Sequence, residues 1–183
     1  TGGGESFHDV VLRVGDVLRL PAHRVILAAH SPFFARMFSV SMAEQHGGDV
    51  TLEDIDHEAL AAVVSSFYSS GGTIALSAAN VGAIIRCASR LQTACIEKVA
   101  VNYFCSCLEP ECASAALCFA TEMAATGSGP TKELLRQCLS YVSEHFRLCA
   151  QQPRFLLLPH ETVRSLLASD YLECDEIKVF FAL

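Results

Sequence analysis

The amino-acid sequence predicts an α+β fold, with helices and a few short strands up to about residue 108 and an all-helical module after it. Apolar residues alternate along residues 7–14 and 49–55, as they do in half-buried strands. Most other segments carry apolar residues at helical spacing, and every element after Pro110 follows that pattern. With 183 residues, 51% of them hydrophobic, the chain is long enough to bury a core.

The first predicted element is a β-hairpin. Val10, Leu12 and Val14 share one face of a strand that begins near Phe7. Gly15-Asp16 has the composition of a two-residue turn, and an apolar run that ends at Leu20 follows it. These features predict two adjacent antiparallel strands.

Two short helices follow the hairpin, one over His23–His30 and one that ends at Phe38. Ser31 and Pro32 lie between them, and they supply an N-cap and a proline at the first position of the second helix. The two helices are therefore expected to abut.

The rest of the first module is predicted from caps and breaks. A half-exposed strand over residues 49–55 leads to Asp56, which can cap a longer helix. Two glycines end that helix, and a brief β-type run follows over Thr73–Leu76. Two further helices carry apolar stripes and meet at a hinge near Gln92 and Thr93.

The second module is predicted to contain only helices. One helix covers Cys112–Ala124, a flexible break covers Thr126–Pro130, and Thr131 caps the next helix. A shorter helix is expected over Glu161–Ala168. The segment Glu176–Leu183 carries no stop signal, which predicts a helix that continues past the last residue.

Charge and composition argue against two classes of partner. The chain has 13 basic and 20 acidic residues, a net charge of -7, which disfavours binding to a nucleic-acid backbone. No run of apolar residues is long enough to cross a membrane. The acidic stretch from Glu44 to Glu58 is most simply a solvated face.

The cysteines and the other reactive residues give no sign of catalysis. The nine cysteines start at Cys87 and show no metal-ligand spacing, which predicts reduced thiols, no metal and no cofactor. Since no nucleophile and base, zinc motif or phosphate loop is assembled, we expect that the protein is not an enzyme. Cys87, beside Arg86 and one turn from Arg90, is a candidate reactive thiol, although its position also fits a buried helical stripe.

Asp9 and Arg24 are candidates for a charged pocket. Asp9 lies near the start of the first strand and Arg24 lies in the first helix. The two side chains could pair across the fold, or each could be solvated separately. The sequence alone leaves both alternatives open.

Several motifs together resemble the BTB (POZ) fold over residues 5–108, and residues 109–183 resemble the N-terminal part of the BACK domain of Kelch-like proteins. The motifs of the first part are Asp9-Val-Val-Leu12, Leu20-Pro-Ala-His-Arg-Val-Ile-Leu-Ala-Ala-His-Ser-Pro-Phe-Phe34, Met37-Phe38 and Phe67-Tyr68. Those of the second are Phe119-Ala120, Glu144-His145-Phe146, Phe155-Leu-Leu-Leu158 and Leu166-Leu-Ala-Ser-Asp170. Because they occur in the family's order, the resemblance is specific.

The resemblance implies a non-catalytic substrate adaptor of a cullin-3 RING E3 ubiquitin ligase. In such proteins the BTB domain forms a homodimer and docks cullin-3, BACK extends the docking surface, and a region beyond BACK holds the substrate. The family's cullin-3 mark, a hydrophobic residue, any residue and a glutamate, matches Met42-Ala43-Glu44 after the Met-Phe pair. The implied cullin-3-binding residues are Phe38, Met42 and Glu44.

The residue types are compatible with this implied role. Five apolar residues offer more apolar surface than one short helix needs for its core, so part of it should remain exposed: Phe33, Phe34, Met37, Phe38 and Met42.

Two alternative functions stay open. The chain could belong to a transcriptional regulator that recruits co-repressors through a dimer groove, or it could be a structural oligomerisation scaffold. The expected location is the cytoplasm, with the nucleus also possible.

Overall fold

The computed structural model describes residues 7–41, 49–127 and 129–167. The chain divides into two compact units, Thr1–Ala100 and Val101–Leu183. The first unit combines helices with a three-stranded mixed sheet, and the described part of the second is helical. The predicted α+β class is therefore confirmed.

The first unit alternates short strands with helices. Its elements are β1 (Val10–Val14), β2 (Leu18–Ala22), α1 (Arg24–His30), α2 (Pro32–Ser41), β3 (Asp49–Thr51), α3 (His57–Tyr68), α4 (Val81–Leu91) and the greater part of α5 (Ala94–Ser106). The sheet has the order β2-β1-β3. β1 runs antiparallel to β2 and parallel to β3.

The predicted hairpin is present, with a longer turn. Val14 is opposite Leu18, so the connection has three residues rather than two. Gly15 adopts a left-handed conformation with φ 51°, which glycine reaches at little cost. Val10 and Leu12 are buried on the face that the alternation predicts.

Two strand predictions in the first unit need correction. The predicted strand over residues 49–55 pairs only over Asp49–Thr51, and Asp54 then takes a left-handed φ of 53° that ends the extended backbone. The run Thr73–Leu76 forms no strand. Its backbone groups bond to nearby side chains instead: the Asn80 amide donates to the Ala75 carbonyl at 3.1 Å.

Local residues mark the start of α3 and the end of α4. The Asp56 carboxylate accepts a hydrogen bond of 2.8 Å from the Ala59 N–H at the start of α3, as predicted. Gln92 takes a left-handed φ of 57° and ends α4, which confirms the predicted break before α5. The unit's fully buried large side chains are Leu12, Leu27, Phe34, Leu60, Ile84, Ile85 and Leu91.

The second unit packs helices around an apolar centre. After the end of α5 it contains α6 (Pro110–Thr126), α7 (Gly129–Glu144), α8 (Phe146–Cys149), a 3-10 helix (Pro153–Leu157) and α9 (His160–Leu167). Phe146 and Phe155 meet edge to face with 5.6 Å between ring centroids. The Ser114 hydroxyl donates to the Cys149 carbonyl at 3.1 Å, which joins α6 to α8.

The helical predictions for this unit are confirmed with shifted ends. α6 begins at Pro110, two residues before its predicted start, and α7 begins at Gly129. The predicted break over Thr126–Pro130 and the predicted cap at Thr131 are therefore wrong: Thr126 belongs to α6, and Gly129, Pro130 and the buried Thr131 belong to α7. The predicted helix over Glu176–Leu183 lies outside the described residues. None of the described helices is both long and apolar enough to cross a membrane.

Candidate functional site

The residues predicted to bind cullin-3 lie in α2 and directly after it. Phe38 is in the last turns of α2, where it is only 6% exposed and stacks on Phe34 with 5.8 Å between ring centroids. The structure therefore corrects its assignment as a contact residue, because a side chain so buried offers little surface to a partner. Met42 and Glu44 lie outside the described residues.

The apolar surplus of α2 is only partly exposed. Phe34 is fully buried and contacts Phe33 edge on, whereas Phe33 and Met37 are half-buried. The half-buried pair leaves some apolar surface on the outside of the unit. Of the five apolar residues that predict a contact patch, two are core residues, two are half-buried and Met42 is not described.

The start of α1 is contacted by α2, by α3 and by the residue before β1. We call the five residues involved the α1-start cluster: Asp9, His23, Arg24, Phe38 and Tyr68. The Asp9 carboxylate accepts a hydrogen bond of 2.8 Å from the Arg24 backbone N–H. The Arg24 guanidinium lies over the Phe38 ring, 5.2 Å from its centroid. Among the described residues, no ion pair joins the side chains of Asp9 and Arg24.

The predicted pocket of two paired charges is therefore replaced by a hydrogen bond to the backbone. Asp9 and Arg24 are brought together, but through a carboxylate on a backbone N–H rather than through two charged side chains. The first N–H groups of a helix have no partner within the helix, so a nearby carboxylate is well placed to accept from one of them. Arg24 is left to pack against an aromatic ring.

His23 and Tyr68 complete the cluster, and the sequence did not predict their contact. The His23 backbone N–H donates to the Tyr68 hydroxyl at 2.9 Å, and that oxygen also lies 3.1 Å from His23 Nδ1. A tyrosine hydroxyl can accept from the first group and donate to the second. The only signal in the sequence was that His23 and Tyr68 both belong to the motifs of the family resemblance.

Cys87 lies in the core, and the prediction of a reactive thiol is contradicted. Its side chain is 1% exposed within the stripe of α4 that also buries Ile84 and Leu91. Burial raises the pKa of the thiol to about 12, the Asp56 carboxylate adds to the rise, and Arg90 opposes it. A thiol that stays protonated at neutral pH is a poor nucleophile, so the core-packing alternative holds.

The first unit also carries an open cavity of about 890 Å³. The end of α1, the loop after α3 and the start of α5 form its walls, with Phe67 and Ile74 among the lining residues. His30 stacks on Phe67 at its edge, with 5.0 Å between ring centroids. Gly71 and Gly72 in the rim have φ of 90° and 63°, a backbone that other residues rarely adopt.

The described residues show no arrangement for metal binding. Within residues 7–41, 49–127 and 129–167, no group of three or more histidine, cysteine and acidic side chains is close enough to hold a metal ion. The described geometry is that of a helix anchored by aromatic and capping contacts.

Comparison with known proteins adds the family. Residues 3–108 match the BTB/POZ domain model, and residues 118–183 match that of BACK, which is described as "BTB And C-terminal Kelch". Human Kelch-like protein 28 is 31% identical over 176 residues, 96% of this chain and 29% of that protein. Human Kelch-like protein 4 is 33% identical over 176 residues, 96% of this chain and 23% of that protein.

The solved BTB domain of human gigaxonin covers 54% of this chain and 79% of its own, with a TM-score of 0.47 and 20% identity. The chain spans less than a third of the length of human Kelch-like proteins 28 and 4. The family matches cover both units, and the relatives align with nearly the whole chain. The chain belongs to the BTB/POZ family, and it joins a BTB/POZ domain to a BACK region in the manner of Kelch-like proteins.

Proposed function

We propose that this chain is the dimerising, cullin-3-docking part of a substrate adaptor in a cullin-3 RING E3 ubiquitin ligase. The observation that carries the proposal is the sequence Met42-Ala43-Glu44, which directly follows α2 inside the BTB/POZ match. It has the hydrophobic-x-Glu form that the family uses to dock cullin-3. The BACK match after it favours an adaptor over a transcriptional regulator.

The packing of α2 supports this role for the segment after it. Phe34 and Phe38 bury their rings on the inner side of α2, and the Arg24 guanidinium covers the Phe38 ring. These contacts hold the helix whose last residue, Ser41, directly precedes Met42. Phe38 thus acts through the position of α2, whereas Met42 supplies the apolar contact and Glu44 accepts hydrogen bonds at its rim.

Dimerisation is the second part of the proposal. Val25 on the outer side of α1 is 72% exposed, and Val17 in the turn between β1 and β2 is 73% exposed. Apolar side chains with this much free surface gain from burial against a second copy of the chain. A dimeric adaptor presents two substrate arms to one ligase assembly, which raises the local substrate concentration.

The protein would act by tethering rather than by chemistry. The ubiquitin-conjugating enzyme forms the bond, and the adaptor holds substrate lysines near it, which increases the effective concentration of the reactants. The substrate would be held by a region outside this chain. We propose that the complex works in the cytoplasm, with the nucleus as a second location.

The proposal can be tested with the purified chain and the N-terminal region of cullin-3. Light scattering should report a complex of two chains and two cullin-3 fragments, and calorimetry should report its affinity. Met42→Asp should abolish binding and leave the circular dichroism spectrum unchanged. Phe7→Asp provides a matched control, since Phe7 is 86% exposed and belongs neither to the proposed docking segment nor to the apolar positions assigned to the dimer.

The outcomes separate the alternatives. A complex that forms equally well with Met42→Asp would overturn the docking site, even if cullin-3 still binds elsewhere. A stable homodimer with no cullin-3 binding at all would overturn the adaptor function and favour a structural scaffold or a co-repressor-binding regulator.

A further inference from the structure

The outer face of the sheet carries two arginines and a threonine side by side. Arg13 in β1 is opposite Arg19 in β2 and opposite Thr51 in β3. Residues opposite each other on neighbouring strands point to the same face, and the strands lie about 4.8 Å apart. Leu12, the neighbour of Arg13, is buried on the inner face, whereas Thr51 is exposed. The Thr51 side chain therefore lies on the solvent side of the sheet, beside the Arg13 side chain.

The two arginines share one close carboxylate. Asp49 Oδ2 lies 3.2 Å from Arg13 Nη1 and 3.6 Å from Arg19 Nη2. Asp16 approaches Arg13 only to 3.8 Å and is fully exposed, so it contributes little. Two guanidinium groups thus face a single close anion, and a phosphate on the neighbouring Thr51 would find a cation that suits it, because arginine pairs well with phosphate oxygens.

The sequence around Thr51 has the pattern of a substrate of an acidophilic protein kinase. Acidic residues stand two positions before Thr51 and two and three positions after it: Asp49, Glu53 and Asp54. Kinases of this class select substrates by such charges, above all by the carboxylate three positions after the acceptor. Thr51 is also the only hydroxyl-bearing residue in the acidic stretch from Glu44 to Glu58. The stretch therefore surrounds a single acceptor.

Thr51 lies in a part of the sheet that opens easily. β3 has three residues and is an edge strand, since the strand order is β2-β1-β3. The Leu52 N–H donates to the Arg13 carbonyl at 2.8 Å and the Leu52 side chain is 3% exposed, so the strand must open before Leu52 can enter a kinase cleft. A short edge strand opens at low cost because few hydrogen bonds and contacts hold it.

We propose that Thr51 is a phosphorylation site for an acidophilic serine/threonine kinase, and that its phosphate pairs with Arg13. The Thr51 Oγ1 attacks the γ-phosphorus of ATP, the bond from that phosphorus to the oxygen that bridges to the β-phosphate breaks, and ADP leaves as the hydroxyl proton passes to the catalytic base of the kinase. Asp49 and Glu53 repel the added charge, and the Arg13 and Arg19 guanidinium groups offset that repulsion. The proposal does not depend on cullin-3 docking.

The first test is to incubate the purified chain with casein kinase 2, magnesium and ATP, and to locate the phosphate by mass spectrometry with fragment ions that separate Thr51 from the other hydroxyl residues. Thr51 should be phosphorylated, and Thr51→Val, which keeps a β-branched side chain in β3, should lose this phosphate. Asp54→Asn should lower the kcat/KM of the kinase roughly tenfold, because one charge-assisted contact is lost. Asparagine tolerates the left-handed φ of 53° at this position. Asp16→Asn is the matched control and should leave the rate unchanged, since it removes the same charge outside the recognised segment.

A synthetic peptide of residues 46–58 shows whether the sequence or the fold limits the reaction. Both the peptide and the folded chain should be phosphorylated at Thr51. Absence of phosphate at Thr51 of the folded chain refutes the proposal, whether or not the peptide accepts one. Equal rates for Asp54→Asn and the wild type would contradict recognition by an acidophilic kinase.

The second test is a ³¹P NMR titration of the phosphorylated chain. A phosphate that pairs with Arg13 is stabilised as the dianion, so its second proton should leave at a lower pH than in phosphorylated Arg13→Gln. Arg19→Gln should give a smaller change of the same sign, because Arg19 is one strand further from Thr51. The phosphorylated peptide, which lacks both arginines, is a reference that requires no folded variant, and circular dichroism shows whether each variant is folded. A phosphate that titrates in the folded wild type as it does in the peptide and in Arg13→Gln is not paired with Arg13.

Discussion

The hydroxyl of Ser31 donates a hydrogen bond of 2.6 Å to the carbonyl oxygen of Leu91, sixty residues further along the chain. The Ser31 hydroxyl oxygen also accepts from the Phe34 N–H at 3.3 Å, so Ser31 caps α2 and joins the junction of α1 and α2 to the end of α4. Both residues are fully buried. A side chain that would be read from sequence as a helix cap is thus also a tertiary contact.

We expect Ser31→Ala to lower the free energy of unfolding by about 1–3 kcal/mol, because a buried carbonyl and a helix N–H both lose their partner. Urea unfolding followed by circular dichroism measures the change. Ser39→Ala is the control: Ser39 is exposed in the same helix, so its effect should stay within about 0.5 kcal/mol. Equal effects of the two substitutions would contradict the role given to Ser31.

Two substitutions of Asp9 show whether its hydrogen bond or its charge stabilises the fold. Asp9→Asn keeps an oxygen that can accept from the Arg24 N–H, so it should change stability by less than about 0.5 kcal/mol. Asp9→Ala removes that acceptor and should cost about 1 kcal/mol. Thermal unfolding of the three proteins in one buffer measures the difference. If Asn proves as costly as Ala, the charge of Asp9 is what matters.

Phe38 and Met42 are expected to separate folding from docking. Phe38→Ala leaves a cavity beside Phe34 and removes the ring under Arg24, so it should cost about 3–5 kcal/mol of stability. Met42→Asp should leave the urea midpoint unchanged and abolish cullin-3 binding. Urea titration and calorimetry on both variants give the two readouts. A stable Phe38→Ala protein with no cullin-3 binding would instead make Phe38 a direct contact residue.

Cys87 is expected to resist alkylation in the native protein. Iodoacetamide at pH 8 should modify the exposed Cys95 and leave Cys87 unmodified, because burial both shields the sulfur and keeps it protonated. Peptide mass spectrometry gives the extent of reaction at each site. In denaturant the two cysteines should react at similar rates. Native labelling of Cys87 at the rate of Cys95 would restore the reactive-thiol interpretation.

The same thiol makes stability depend on alkaline pH. The pKa of Cys87 is about 12 in the folded chain against an ordinary value of 9.0, so above pH 9 the unfolded chain releases this proton before the native state does. The stabilisation that comes from keeping the Cys87 thiol protonated in the folded chain is complete below pH 9 and is lost as the pH rises toward 12. Urea unfolding from pH 8 to pH 10 should show a steeper decline for the wild type than for Cys87→Ala. Parallel curves would contradict the shift.

Helix boundaries set by neighbouring residues were predictable, whereas the backbone of a run whose carbonyls bond to nearby polar side chains was not. The Asp56 cap and the break between α4 and α5 near Gln92 follow from residues next to the helices that they delimit, although the left-handed backbone at Gln92 was not predicted. The run Thr73–Leu76 has local β-propensity, but the Asn80 and Ser69 side chains donate to its Ala75 and Thr73 carbonyls. Sequence alone gives no sign of that competition.

The candidate site was also predictable only in part. The apolar excess of α2 was predictable, but which of its rings face inward depends on packing against Arg24 and the rest of the unit. The acidic stretch predicted to be a solvated face contains Asp49, which pairs with Arg13 at 3.2 Å, and Asp56, which caps α3. Their partners are an arginine on another strand and a backbone N–H, and counting charges along the sequence identifies neither of them.

The contacts of Asp9 and Tyr68 with the start of α1 have a consequence for the order of folding. α1 is seven residues long, which is too short for a helix to persist by itself in water. Its first N–H groups are satisfied by side chains from before β1 and from the end of α3, which must already be in place. We therefore expect α1 to form late and to open only together with the whole first unit, so that its amides exchange with deuterium as slowly as those of the core helix α4.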